Sequence, residues 1–181
     1  MIKLKHILES ENWNMDQNSY FYKGVNPTVD LVIIHGDKIL LIKRKSDANA
    51  EANKWALPGG FQDTYAKKGE EWREDKETAL DAAIREVKEE TGLDVKYFKD
   101  KIKKIGVYEG ESRDVRDNEI SWSRTTAFYL DLPLDYDINL ITSGDDAQDA
   151  QFIKINAVNS ATLAFDHEQI ISRGLELYKN D

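Results

Sequence analysis

The chain has 181 residues, 40% hydrophobic and 33% charged, with a formal net charge of −9, enough for one domain with a sizeable core. The acidic balance argues against bulk nucleic-acid binding, which needs a basic face. The lack of cysteine excludes disulfides and thiolate metal sites and fits a cytoplasmic location.

Residues 1–24 read as an N-terminal arm, a short helix followed by a strand or extended segment. Its Trp13, Tyr20, Phe21 and Tyr22 would cover either a core edge or a partner subunit. The arm lacks the apolar core and cleavage site of a secretory signal. The remainder, 25–181, reads as one domain. TVDLVII (28–34) and ILLIKR (39–44) form a hairpin over a four-residue connection, HGDK. These apolar runs are too short to span a bilayer, so no membrane partner is expected. A loop follows, then WALPGGF (55–61), where a proline and two glycines are expected to end regular structure. Residues 62–76 are polar. A helix is predicted over 79–91, strands over 102–108, 123–131 and 151–155, and a last helix over 167–178. That helix turns Ile170, Ile171, Leu175, Leu177 and Tyr178 inward, with Asp166 as N-cap. Strands and helices mix without βαβ alternation, which predicts an α+β fold, an α/β/α sandwich on a mixed sheet.

The 79–91 helix concentrates like charge. Thr78 is placed as its N-cap with Asp81 at N3, and Gly92 as the left-handed stop. At about 100° per residue, Leu80, Ala83, Ile84, Val87 and Thr91 share a face, and Glu86, Glu89 and Glu90 form a patch beside it. The carboxylates repel one another and sit near the helix C-terminus, which disfavours negative charge. Lys88 and Arg85 offset part of this, but neither is expected between the glutamates. A hard divalent cation would turn the repulsion into ligation, and oxygen-only ligands favour Mg²⁺ or Mn²⁺ over Zn²⁺. A solvated acidic edge explains the same residues equally well.

The spacing of these residues resembles a known family. REVKEETGL (85–93) matches the tail of the Nudix hydrolase motif, G-x5-E-x7-R-E-U-x-E-E-x-G-U with U aliphatic, and Glu77 stands eight residues before Arg85, as that motif requires. WALPGGF is similar to the segment leading into it. Where the motif allows five residues between glycine and first glutamate, this chain has sixteen, 61–76. They read as a loop insertion before the helix, expected at the surface with Trp72 as an anchor, or else as a lid.

The resemblance implies roles. Gly60 would give a carbonyl to a metal ion, Glu86 and Glu90 would be its principal ligands, and Glu89 a further ligand or water activator. Arg85 and Glu77 would form the ion pair that orients the helix. It further implies metal-assisted hydrolysis of a nucleotide's pyrophosphate bond.

SRDVRD (112–117), GDDAQDAQFIKI (144–155) and LAFDHEQII (163–171) resemble stretches of the branch related to ADP-ribose pyrophosphatases. This branch includes proteins fused to nicotinamide-mononucleotide adenylyltransferases and repressors of NAD metabolism. The implied substrate is ADP-ribose, giving AMP and ribose 5-phosphate, with other nucleotide sugars, dinucleotides or nucleoside triphosphates as alternatives. Arg113, Arg116 and Arg44 are candidate phosphate or ribose contacts, or surface arginines. Phe165 would touch the base or pack in the core. His167 would meet substrate or serve structurally. Asp145, Asp146 and Asp149 are expected in a loop, either as an acidic turn or as the source of a general base. A ligand-sensing regulator ranks below an enzyme, because the relatives of that type carry a DNA-binding domain after the AFDH helix and this chain ends at Asp181. No HxGH motif of an adenylyltransferase is present. The resemblance also implies a homodimer.

Overall fold

The computed structural model describes residues 20, 22–66, 74–110, 113–142, 144 and 147–180. Seven strands form one mixed sheet: β1 (Gly24–His35), β2 (Lys38–Arg44), β3 (Trp55–Ala56), β4 (Gly59–Phe61), β5 (Lys103–Glu109), β6 (Ser121–Asp131) and β7 (Ala147–Lys154). Helix α1 (Ala79–Thr91) lies between β4 and β5, and α2 (His167–Asn180) follows β7. The path through the sheet is β3-β2-β1-β6-β5, with β4 paired to β1 and β7 to β2. β1 and β6 run parallel from Gly24↔Ser121 to Ile34↔Asp131, and the other pairings are antiparallel.

Strand periodicity builds two cores from this sheet. Val29, Leu31 and Ile33 of β1 face one side, with Leu40, Phe128 and Leu130, and pack with Ala83, Ile84 and Val87 of α1. Val32 and Ile34 face the other side, with Ile39, Leu41, Ala127 and Tyr129, and meet Ile170 and Ile171 of α2. The expected α/β/α sandwich is therefore present. One residue breaks the apolar run: Asp30, buried on β1, lies on the α2 side by parity.

Helix α1 runs cap to cap as expected. Thr78 is extended and its hydroxyl accepts from Asp81 N, while Gly92 has φ 71° and donates to Lys88 O. Several expectations need correction. The β1–β2 connection is two residues, Gly36 and Asp37, because His35 and Lys38 pair with each other. WALPGGF does not end regular structure: it supplies two short strands. Pro58 lies between them, where it needs no N–H, and its carbonyl accepts from Leu31 N. β7 begins at Ala147, so Asp149 is a strand residue opposite Lys43. Lys96–Lys101 form an unexpected 3₁₀ turn.

The arm is described only from Tyr20. Its ring is buried and its hydroxyl donates to Asp117 Oδ1 at 2.6 Å, so this end of the arm packs into the domain. Trp13 and Phe21 lie outside the described residues. Among these, no helix is long and apolar enough to cross a membrane.

Candidate active site

The 61–76 loop leaves and returns at one point. Thr64 and Asp75 form an antiparallel bridge, Tyr65 N donates to Glu74 O and Lys76 N to Asp63 O. At the base of this neck, Glu77 Oε1 accepts from Asp63 N at 2.9 Å, and the buried Gln62 donates to Glu77 O at 2.7 Å. Glu77 thus stays beside β4 despite the sixteen intervening residues. Trp72 lies outside the described residues.

Arg85 uses this placement. Its Nη2 meets Glu77 Oε1 at 2.7 Å and Phe61 O at 3.0 Å, which ties α1 to β4 as the ion-pair expectation required. Its Nη1 overturns the other expectation. It donates to Glu86 Oε1 at 2.8 Å and to Glu89 Oε2 at 2.9 Å, so the guanidinium does lie between two of the glutamates. A long side chain with a planar fork reaches both its neighbour and the residue one turn on. Burial opposes ionisation of Glu77, but the hydrogen bonds from Arg85 and Asp63 N outweigh it and hold this carboxyl below its usual range.

The three glutamates differ in environment. Glu90 is 8% exposed and its Oε2 accepts from Gly59 N at 2.9 Å. Burial, reinforced by the charges of Glu86 and Asp30, pushes its pKa well up. Glu86 is also raised, first by burial and then by Glu89 and Glu77. Glu89 has a side chain 58% exposed. A Cβ on Gly60 would lie 2.6 Å from the Glu86 carboxyl carbon, and one on Gly59 would lie 2.1 Å from Val29 O. Only glycines let β4 lie this close to the carboxylates and to β1.

This donor set fits a hard divalent cation. It is all oxygen, and it brings the buried Glu90 and the half-buried Glu86 beside a backbone that no side chain shields. Among the described residues, however, no three acidic or imidazole groups already converge as a metal cage. Arg85 draws Glu86 and Glu89 toward itself, and ligation by both requires those side chains to turn.

The glutamates, Gly59 and Gly60 line one end of a cleft of about 450 Å³ whose lining also includes Arg44, Arg113, Arg116, Phe165 and His167. The cleft therefore gathers the glutamates of α1, Arg85, Gly60, the three arginines, Phe165 and His167, while Glu77 acts from behind Arg85 and Asp149, a candidate base, does not line it. Arg44 Nε donates to Ala50 O at 3.0 Å, and its guanidinium lies 5.0 Å from the Phe165 ring centroid. Arg116 lies 5.6 Å from the same ring and 5.0 Å from that of Tyr20, paired with Asp114 at 2.6 Å. Burial, then repulsion from Arg116, lowers the Arg44 pKa, against the opposing pull of Glu90 and Asp114.

Arg113 is more committed than expected. Nε and Nη2 grip Asp166 at 2.7 and 2.8 Å, and Nη1 donates to Ser123 and Thr125. The Asp166 carboxylate, expected as an N-cap, is engaged by this arginine instead. His167 is buried, with Nδ1 accepting from Leu57 N at 2.9 Å and Nε2 3.5 Å from Asp30 Oδ2. Burial lowers its pKa and raises that of Asp30. The ring is part of the cleft wall, and its polar atoms are used within the protein. Asp30 was missed by sequence reasoning, although a carboxylate inside TVDLVII is the kind of interruption that marks a site. Gly144 N donates to Glu90 O, which docks its loop on the end of α1, whereas Asp145 and Asp146 lie outside the described residues.

A mixed sheet between two helices, with a carboxylate helix facing a double glycine, defines a Nudix hydrolase. The chain belongs to that family, as the NUDIX domain model matches residues 25–174. It is 40% identical over 144 residues to an ADP-ribose pyrophosphatase of Methanocaldococcus jannaschii, covering 79% of this chain and 69% of the relative. A bifunctional NMN adenylyltransferase/ADP ribose pyrophosphatase from Francisella tularensis, solved with AMP and a Mn ion, is similar at 29% identity and TM-score 0.62. The match covers 97% of this chain but only 47% of that one, so this chain spans about half the bifunctional protein's length. The NUDIX domain of Shewanella oneidensis NrtR, solved with ADP ribose, shares the fold at 23% identity and TM-score 0.66, over 98% of this chain and 99% of that one.

Proposed function

We propose that this protein is an ADP-ribose pyrophosphatase that uses Mg²⁺, or Mn²⁺ in its place, and releases AMP and ribose 5-phosphate. The carrying observation is the polarity of one cleft: a cluster of carboxylates beside a bare glycine backbone at one end, two arginines flanking Phe165 at the other. A divalent cation suits the first and a diphosphate the second. Similarity to the Methanocaldococcus jannaschii ADP-ribose pyrophosphatase supports the choice of substrate.

Glu86, Glu90, Glu89 and the Gly60 carbonyl would hold the metal. When bound, it neutralises phosphate oxygens and lowers the pKa of coordinated water. The chain's own groups do the rest. Glu89, the most exposed of the three, is placed to accept a proton from attacking water. Arg85, anchored by Glu77 and Phe61 O, holds α1 against β4. Arg44 and Arg116 hold the diphosphate, and the face of Phe165 receives the base or ribose. The same reading places the protein in the cytoplasm, without a nucleic-acid partner, as a homodimer.

Incubation with ADP-ribose and Mg²⁺ should yield AMP, with ADP-ribose ranking first by kcat/KM among nucleotide sugars, dinucleotides and nucleoside triphosphates. No AMP from the wild type, or undiminished turnover by Glu89→Gln and Glu90→Gln, would overturn the reading. A higher kcat/KM for another nucleotide would reassign the substrate.

A further inference from the structure

We propose that His167 is a positioning residue, setting the backbone of Leu57–Gly60 against the carboxylates of α1. It extends the metal-site reading above, on which it rests. The segment is held at successive residues from different elements. Leu57 N donates to His167 Nδ1 at 2.9 Å, Pro58 O accepts from Leu31 N at 3.0 Å, and Gly59 N donates to Glu90 Oε2 at 2.9 Å. Gly60 then lies flush against Glu86, within the space a Cβ would need.

The histidine is aimed by the chain before it. Leu163 bridges to Trp55 in parallel and Ala164 N donates to Trp55 O at 2.8 Å. Phe165 then takes φ 51°, a left-handed conformation that costs an aromatic residue energy and persists only where its surroundings impose it. This turn starts α2 at His167 and points its ring at Leu57, where the imidazole takes the place of a carbonyl as acceptor. With Nδ1 accepting, the proton of the neutral ring resides on Nε2, facing Asp30. Asp30 Oδ1 in turn would lie 2.6 Å from a Cβ on Gly59. The histidine and its partner thus support the double glycine from below while Glu86 and Glu90 meet it from the other side.

Two variants isolate the acceptor. His167→Asn keeps an oxygen near the Nδ1 position, and His167→Gln moves the polar end toward Nε2. Three quantities are read in the full chain: Mn²⁺ affinity without substrate, from the electron paramagnetic resonance of free Mn²⁺; hydrogen exchange at the Leu57 amide; and kcat and KM for ADP-ribose. His167→Asn should keep Leu57 protection and lose less Mn²⁺ affinity and less kcat than His167→Gln. His167→Gln should lose Leu57 protection, bind Mn²⁺ more weakly and lose kcat by about 10–100-fold with little change in KM, the range for a lost outer-shell partner. Equal behaviour of the two variants, whether both intact or both impaired, overturns the proposal, as does the reverse order. A wild type that binds no Mn²⁺ overturns the metal-site reading itself and this role with it.

Discussion

Glu90 is a carboxylate held where ionisation is costly. Burial raises its pKa above the 4.5 of an unfolded glutamate, so in the metal-free protein its charge opposes folding progressively as pH rises from the unfolded value through the folded one. Glu90→Gln removes that cost and keeps an oxygen for Gly59 N. In EDTA at pH 8 this variant should melt higher than the wild type by about 2–4 °C, the shift expected from 1 kcal/mol in a domain of this size, with the gain vanishing near pH 4. Its turnover with Mg²⁺ should fall by roughly 10²-fold or more, since metal ligation is worth several kcal/mol in the transition state. A melting temperature equal to or below the wild type's in EDTA at pH 8 would show that the fold does not strain against this charge.

At the scale of the element, α1 was legible because its signals are local. Thr78, Asp81 and Gly92 mark its ends within the sequence itself, and the apolar period fixes its inner face. Thr78→Ala should lower stability by about 1 kcal/mol through the lost cap, read as a shift in urea midpoint without a change in slope. β3 and β4 were not legible, because strands this short are held by partners distant in sequence: Thr28–Asp30 for β4, Ile42 and Lys43 for β3. The same holds for the side chains of the site. The three glutamates could be read as a patch, but not the reach of Arg85 between Glu86 and Glu89, which depends on where Glu77 and Phe61 hold the other end of its fork. The pairing of Arg113 with Asp166 joins residues 53 apart, and no local pattern announces it.

Across the whole molecule, Glu77 and Arg85 join α1, β4 and the neck of the 61–76 loop, so their ion pair bears on stability as well as on the cleft. The Glu77 carboxyl is held below its unfolded value, so its contribution is complete above that value and is lost as pH falls through the lower, folded one. Glu77→Gln should therefore cost about 1.5–3 kcal/mol at pH 7, the range for a charged hydrogen bond. The two proteins should converge in strongly acid solution. Denaturant titrations at several pH values would show this, and a gap independent of pH would assign the loss to packing instead.

The neck itself has a consequence for how this protein can vary. Because Thr64 meets Asp75 and Asp63 meets Lys76 before the chain reaches Glu77, residues beyond that pinch are insulated from the register of the helix. Doubling the length of such a closed loop costs only about 0.6 kcal/mol in closure entropy. The chain can thus lengthen or shorten there with little bearing on the glutamates, which makes the segment a place where lineages, or an engineer splicing in a reporter, can change the chain while leaving the chemistry of the cleft in place.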